Sequence, residues 1–374
     1  MIKKTLLSFK GLTTVLTDSA DKNIIALLSN TVLGSKGGMR YVLQSIASRI
    51  EAYKNIRFIS LYKNDKLAGT VGLCYRRIYQ GKDTRHGIYL RYLAVQSRFQ
   101  SGEDFGKRKK VREESSSSDS MKGKILSFFR KPHMLELPDY KEGDPNVVYA
   151  YVEAANERSK NIIQQIGFSY IRSFLTVAFS RFKPEYSEGV DKLSEEERPA
   201  MLDLLRQYYK DYSFYSDENT FFEDRYFVKR SGGEIVAGLS AVPTTYNVKH
   251  VPGVWGWIFM HVFPWLPYYR RLFKPGIFRF LVFSSIYVRP GHEKDLEALM
   301  ESLCAREQIN TGLTWVDDRS ELFDMLNTEL DMGALNRMLN AKPGLVYASF
   351  HKLDDKEKEF FYDKPAFISG FDFT

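Results

Sequence analysis

Asn156 and Ser159 stand three residues apart at the head of "NERSKNIIQQIGF", and Gly167-Phe168 close that stretch. The preceding run, "NVVYAYVEA", is rich in β-branched and aromatic residues, so the pattern reads as strand, tight turn, short helix and stop. Such residues do recognition chemistry rather than bond cleavage. A carboxamide at 156 offers two donors and an acceptor, enough to hold a chain of amides or to cap the helix behind it. Gly167 suits a left-handed C-cap with Phe168 as its apolar anchor. Leu93-Ala94-Val95 ends an earlier strand-like run, "HGIYLRYLAVQ"; alone it is ordinary β-core sequence. Motifs that make or break bonds are missing. The six histidines are scattered, with no His-Glu-x-x-His and no His-Cys pairing, so no metal is expected. Gly-x-Ser-x-Gly is absent.

The elements that must position these residues repeat. "TDSADKNIIALLSN" predicts a helix capped by Asp18 or Ser19, and "MRYVLQSIASRIEAY" a second one. "IRFISLYKN" and "KLAGTVGLCYRRIY" predict a hairpin turning at Asn64-Asp65. The strand ending at Val95 comes next, then a low-complexity basic insertion with "GKRKKVR" and "EESSSSDS" near 101–125, and a short helix in "KGKILSFFRK". The strand at 147–153, the opening stretch and "YIRSFLTVAFSRF" complete one unit. A second unit follows: the helix "SEEERPAMLDLLRQYY", a hairpin at Gly232-Gly233, the strand "FRFLVFSSIYV", and a helix opened by Pro290-Gly291. The strand "TGLTWV", a helix through "ELFDMLNTELDMGALNRMLN" and the strand "GLVYASFHKL" close it. The order predicts an α/β fold with mixed sheets, duplicated as units 1–183 and 184–374. A chain of 374 residues is also too long for one ordinary core.

In tandem, these residues resemble the GCN5-related N-acetyltransferases, the GNAT fold. Members have a central strand ending Leu-x-Val that splays from its neighbour and bonds the pantetheine arm of acetyl-CoA; Leu93, Ala94 and Val95 match it. They then have Asn-x-x-Ser/Ala, a tyrosine and Gly-Phe, matched here by Asn156, Ser159, Gly167 and Phe168. The resemblance implies acetyl-CoA or another acyl-CoA as substrate and an amine as acceptor. The chemistry is sound without the family name, because pantetheine is a strand-like chain of amides and a strand edge can bind it as another strand. Two features depart from the pattern. The phosphate loop, Gln/Arg-x-x-Gly-x-Gly/Ala, is represented only by the irregular "VQSRFQSGEDFGKRKK", with Gln100 and Gly102 nearest to it and Lys107 to Lys110 as a substitute source of charge. The tyrosine that protonates the departing thiolate is replaced by Ile163, which does no acid chemistry. No catalytic residue is identifiable, although Glu153 and Tyr92 lie near the right strands. The second unit matches more weakly, with "WVDDRSELFDML" where the Asn and Gly-Phe motifs should stand.

The segment near 251–278, "VPGVWGWIFMHVFPWLPYYRRLFKPGIF", holds Trp255, Trp257 and Trp265 and then Arg270 and Arg271. Pro252, Pro264 and Pro267 rule against a clean spanning helix. Tryptophan and tyrosine beside arginine suit an anionic membrane surface or a lid over an acyl chain, and equally a loop buried between the units or in a dimer. Lys+Arg 54 against Asp+Glu 46 gives +8, which favours anionic partners. Nucleic acid is not the expected one, since the basic residues carry no recognised motif. Cys74 and Cys304 show no CxxC spacing, and the N-terminal run is interrupted by Lys10 without a cleavage site. A cytoplasmic protein is expected, free or membrane-associated. The expected function is N-acyl transfer from a CoA thioester; the alternative is a degenerate tandem unit that serves as a peripheral membrane or protein-binding module.

Overall fold

The computed structural model describes every residue except Met1, Lys10, Lys36, Lys82, 97–131 and Asn340. The basic insertion and the "KGKILSFFRK" helix therefore lie outside the described residues. Where turn chemistry is strong, the structure follows the sequence. Asn64 and Asp65 both take positive φ, 49° and 62°, and join β4 (Ile56–Lys63) to β5 (Lys66–Gln80). Gly232 and Gly233 do the same between β10 (Tyr226–Ser231) and β11 (Glu234–His250). Two central residues at positive φ match the right-handed twist of paired strands, which is why these sequences turn there.

Among the described residues, fourteen strands form one sheet. β1 (Lys3–Phe9), β2 (Leu12–Thr17), β4, β5, β6 (Asp83–Val95) and β7 (Asn146–Glu153) follow one another across the first half. From the far edge run β9 (Val190–Lys192), β10, β11, β12 (Phe278–Val288) and β13 (Thr311–Asp317). The closing strands of the two halves meet in the middle and are exchanged. β14 (Gly344–His351) lies between β7 and β8 (Ser169–Ser180), while β8 lies between β14 and β13. The exchange needs close approach, and a Cβ on Gly344 would lie 2.1 Å from the Phe174 ring.

Alternate residues of each strand face opposite layers. On one face Phe58, Tyr89, Tyr149 and Val346 pack with α1 (Lys22–Ser29), α2 (Ile46–Glu51), α5 (Gly253–His261) and α9 (Asp355–Asp363). On the other, Val148 and Ala150 pack with Ile163 of α3 (Glu157–Gln165). In the second half Leu281 and Phe283 pack with α6 (Glu293–Glu307) and α7 (Glu321–Thr328), and α4 (Arg198–Tyr208) covers Tyr226 and Val228.

Three expected elements differ. The first helix is capped by Asp21, whose carboxylate accepts from Ile24 N at 2.8 Å; Asp18 instead accepts from Ile2 N. Most of the second expected helix is not helical: Arg40–Leu43 forms β3, paired with the outer end of β11, because Tyr41 and Val42 gain a ladder and Tyr41 stacks on Tyr246 at 4.2 Å. The helix expected over 321–340 breaks into α7 and α8 (Ala334–Met338) at Gly333, where φ is 85° and a Cβ would strike the Ser180 carbonyl.

Candidate functional site

β6 and β7 run parallel from His86 opposite Asn146 to Leu90 opposite Ala150, and there the ladder between them ends. Both strands continue. Arg91 pairs with Gly72 and Ala94 with Thr70, both in β5, while Tyr151 pairs with Val346 in β14. The two strands therefore splay. A bulge drives the parting: the β5–β6 register shifts between Thr70 and Gly72, and Tyr92 is held at φ 56°. Between Arg91 and Ala94 the β7-side edge of β6 carries no ladder among the described residues, and Leu93 is 62% exposed.

The root of the splay is polar and buried. Arg76 holds Asp372 through two bonds, 2.8 and 3.1 Å. Arg91 donates to Tyr53 Oη at 2.6 Å, to the Phe371 carbonyl at 3.2 Å and to the Thr374 carbonyl at 2.8 Å. Tyr53 in turn donates to Asp372 at 3.1 Å. Burial pushes the Tyr53 and Tyr92 phenols well above their ordinary range, so both keep their protons. Phe373 is stacked between Trp315, 4.1 Å away, and Tyr151, 5.8 Å away. The segment 370–374 is thus fastened by charge, hydrogen bond and ring contact to the first splay.

The expected site residues gather only in part. Leu93 and Val95 face outward on β6, and Ala94 is buried. Asn156 and Ser159 sit in the turn after β7, where Asn156 Oδ1 accepts from Ser159 N at 3.0 Å. The capping role of Asn156 is therefore real, and its amide donors remain for other work. Gly167, φ 92°, donates to Gln164 O, and Phe168 N donates to Ile163 O; together these form a Schellman cap. Ile163 is buried with Phe168 in the core, so the position of the family's tyrosine is a packing position here. Gln100, Gly102 and Lys107 to Lys110 lie outside the described residues. Of the two residues near the right strands, Glu153 ends β7 with its carboxylate accepting from Ser35 N at 2.6 Å. The Tyr92 hydroxyl is buried and has no hydrogen-bond partner among the described residues.

A second splay exists between β12 and β13, which pair only at Leu281–Gly312 and Val282–Leu313. This one is filled by the chain itself. Ala366 N donates to Asp317, Gly370 N donates to Ser284 Oγ at 2.9 Å, and Phe367 N donates to the Ser213 carbonyl. Asp317 is also the bidentate partner of Arg172, at 2.8 and 2.9 Å. The space left beside Ser284, Trp315 and Phe367 is only about 20 Å³.

No protein-family profile and no curated protein matches the sequence. The three-dimensional likeness is broad. Saccharomyces cerevisiae N-myristoyltransferase with bound myristoyl-CoA superposes with a TM-score of 0.57 at 9% identity, over 97% of this chain and 90% of that one. The same enzyme with bound myristoyl-CoA and inhibitors gives 0.55 at 10%, over 95% and 85%. The fold is the GNAT fold in tandem. The resemblance read from Leu93-Ala94-Val95 and Asn156 to Phe168 thus identified the architecture, and the Saccharomyces cerevisiae N-myristoyltransferase structure shares it over nearly the whole chain.

What sequence reading missed is the segment after β14: α9 and the turn Gly370–Phe373. A signal was there. Arg76 interrupts an apolar strand at an inward position, and an arginine so placed needs a buried acid, which the isolated Asp372 of "FISGFDFT" supplies.

Proposed function

We propose that the protein is an acyl-CoA-dependent N-acyltransferase that moves an acetyl or longer acyl group from CoA to an amine. The observation that carries this reading is the contrast between the two splays. Among the described residues the β7-side edge of β6 from Arg91 to Ala94 carries no ladder, whereas the equivalent opening of the second half is filled by residues 366–370. The donor therefore binds in the first of two units, 1–183 and 184–374. Its pantetheine arm lies along Leu93, Ala94 and Val95, with Asn156 and Ser159 beside it; by the family resemblance, Gln100 and Gly102 are the residues assigned to its phosphates. Nitrogen attacks the thioester carbonyl, backbone N–H groups hold the oxyanion, and the C–S bond breaks as thiolate leaves. Glu153, on the splay side of β7, is the better proton acceptor, because Tyr92 holds its own proton too tightly. Ile163 offers the thiolate no proton, so solvent or the acceptor supplies it. The yeast enzyme's myristoyl-CoA suggests trying a long-chain donor first.

Thermal shift with acetyl-CoA, myristoyl-CoA and free CoA tests the reading. A ligand at a hundred times its Kd stabilises the native state by about 2.7 kcal/mol. A raised midpoint with a thioester, followed by release of free thiol when an amine is added, is the expected result. No shift with any of the three sinks it. A CoA-binding protein that releases no thiol would fit the second reading, a non-catalytic module, which Ile163 and the exposed aromatic segment favour. The cell compartment proposed is the cytoplasm, at a membrane surface.

A further inference from the structure

The segment 251–278 divides into a buried face and an exposed one. Phe259, Phe263, Leu272, Phe273 and Phe278 are buried, and four of these belong to the core that also contains Tyr89, Tyr92 and Tyr149 at the first splay. On the outside, Trp265 is 85% exposed, Trp257 60% and Trp255 48%, joined by Val254, Leu266, Tyr268 and Ile277. α5 has no polar face to offer water: its sequence is Gly-Val-Trp-Gly-Trp-Ile-Phe-Met-His. Exposing three large indoles costs free energy that a folded chain avoids unless something covers them.

The surrounding charge says what does. No Asp or Glu occurs between His250 and His292. Lys249, Arg270, Arg271, Lys274 and Arg279 are all exposed around the apolar face. Among the described residues none of these five has an acidic partner, and Arg271 lies over the Tyr268 ring at 5.8 Å. Exposed indoles and tyrosines beside cations with no acidic partner among the described residues match the headgroup region of an anionic bilayer, which takes rings at its boundary and guanidinium groups at its phosphates. A protein partner would more often supply pairs of both signs. No described helix is long and apolar enough to cross a membrane, so the contact is with one leaflet.

We propose that Val254, Trp255, Trp257, Trp265, Leu266 and Tyr268 insert into the interface of an anionic lipid surface, with Arg270, Arg271 and Lys274 on its phosphates. The position is relevant to the site. β3 pairs with the end of β11 that leads into this segment, and the loop before β3 holds Glu153 through Ser35. Docking therefore sets the open end of the splay close to lipid, which suits an acceptor amine or acyl chain presented from the membrane. That last step rests on the acyltransferase reading; the docking itself does not.

Three of the four tryptophans lie in the patch and the fourth, Trp315, is buried, so intrinsic fluorescence reports the contact. The 374-residue chain would be mixed with phosphatidylcholine vesicles with or without phosphatidylserine, some carrying brominated acyl chains. Flotation with the anionic vesicles, a blue shift and quenching by bromine are expected. Trp255→Ala/Trp257→Ala/Trp265→Ala should abolish flotation with an unchanged thermal midpoint. Arg270→Glu/Arg271→Glu/Lys274→Glu should lower partitioning onto anionic vesicles about a hundredfold or more, at roughly 1 kcal/mol per basic residue. Failure of the wild type to float at low salt overturns the proposal. So does self-association in light scattering that the tryptophan variant abolishes, which would make the patch a protein interface. Thioester binding is measured without vesicles, so failure of either idea leaves the other readable.

Discussion

Arg76 and Asp372, 296 residues apart, form a two-bond ion pair in which neither side chain reaches solvent. It ties the last described turn to the strand beside the splay. Removing one member of such a pair leaves the other charged in a medium that solvates it poorly. Asp372→Asn should therefore cost about 3–5 kcal/mol. The double change Arg76→Met/Asp372→Leu should recover much of that loss, since well-packed apolar replacements restore both groups to a neutral interior. Urea denaturation of the three proteins checks this. Equal destabilisation by the single and double variants would show that packing, not charge pairing, is what holds the segment.

Asn156 caps α3 and, in the reading above, also donates to the thioester's amide arm. Two substitutions separate these roles. Asn156→Ala removes the cap and should cost about 1 kcal/mol of stability. Asn156→Ser keeps a capping oxygen and should leave the midpoint close to wild type, yet it loses the amide donors. Its affinity for a CoA thioester should fall roughly two- to tenfold, the worth of one neutral hydrogen bond. Calorimetric titration of both variants decides the matter. Unaltered affinity in the serine protein would confine Asn156 to capping.

The architecture was legible where local chemistry and the distant partner demand the same thing. Asn64-Asp65, Gly232-Gly233 and Gly167-Phe168 need particular backbone angles that the sequence supplies, and they appear where expected. Tyr41 and Val42 misled because a helical spacing carries no record of the β11 edge that pairs with them 200 residues later in the chain, from about 246 to 250. The exchange of β8 and β14 left no local trace, since either order buries the same apolar strands. At the site, the order of motifs showed where a strand edge would open, but the filled second splay depends on Ala366 and Gly370 meeting Asp317 and Ser284. Those contacts use backbone N–H groups, which every sequence has.

Gly167 sits at φ 92° with no atom within 4 Å of where a Cβ would lie, so a substitution there meets strain without collision. Gly167→Ala should cost about 1–2 kcal/mol, the penalty of a left-handed conformation for a residue with a Cβ. Gly344→Ala provides the contrast. Its Cβ would land on the Phe174 ring, where β14 is wedged between the two halves, and should cost more. Thermal unfolding of the pair checks the ordering; a larger loss at 167 would contradict it.

His86 lies where β6 begins to pair with β7, with Nδ1 2.7 Å from Tyr75 Oη, Nε2 3.6 Å from Asp144 and the Tyr140 ring against it edge-on. Burial lowers its pKa; Asp144 opposes that effect, and Arg77 adds to it. The sign follows from which state binds the proton more readily. Above about pH 6.5 the imidazole is neutral in both states and contributes no pH dependence. Below that the unfolded chain takes up a proton that the native chain resists, so stability should fall as pH falls, until the native pKa is passed. Unfolding free energies measured in urea from neutral to mildly acid pH should show this decline in the wild type. In His86→Gln that component should be missing, with the hydrogen bond to Tyr75 still available through the carboxamide. A wild-type stability that rises on acidification through the same window would mean that Asp144 outweighs burial, and that the histidine is an ion-pair partner rather than a neutral core residue.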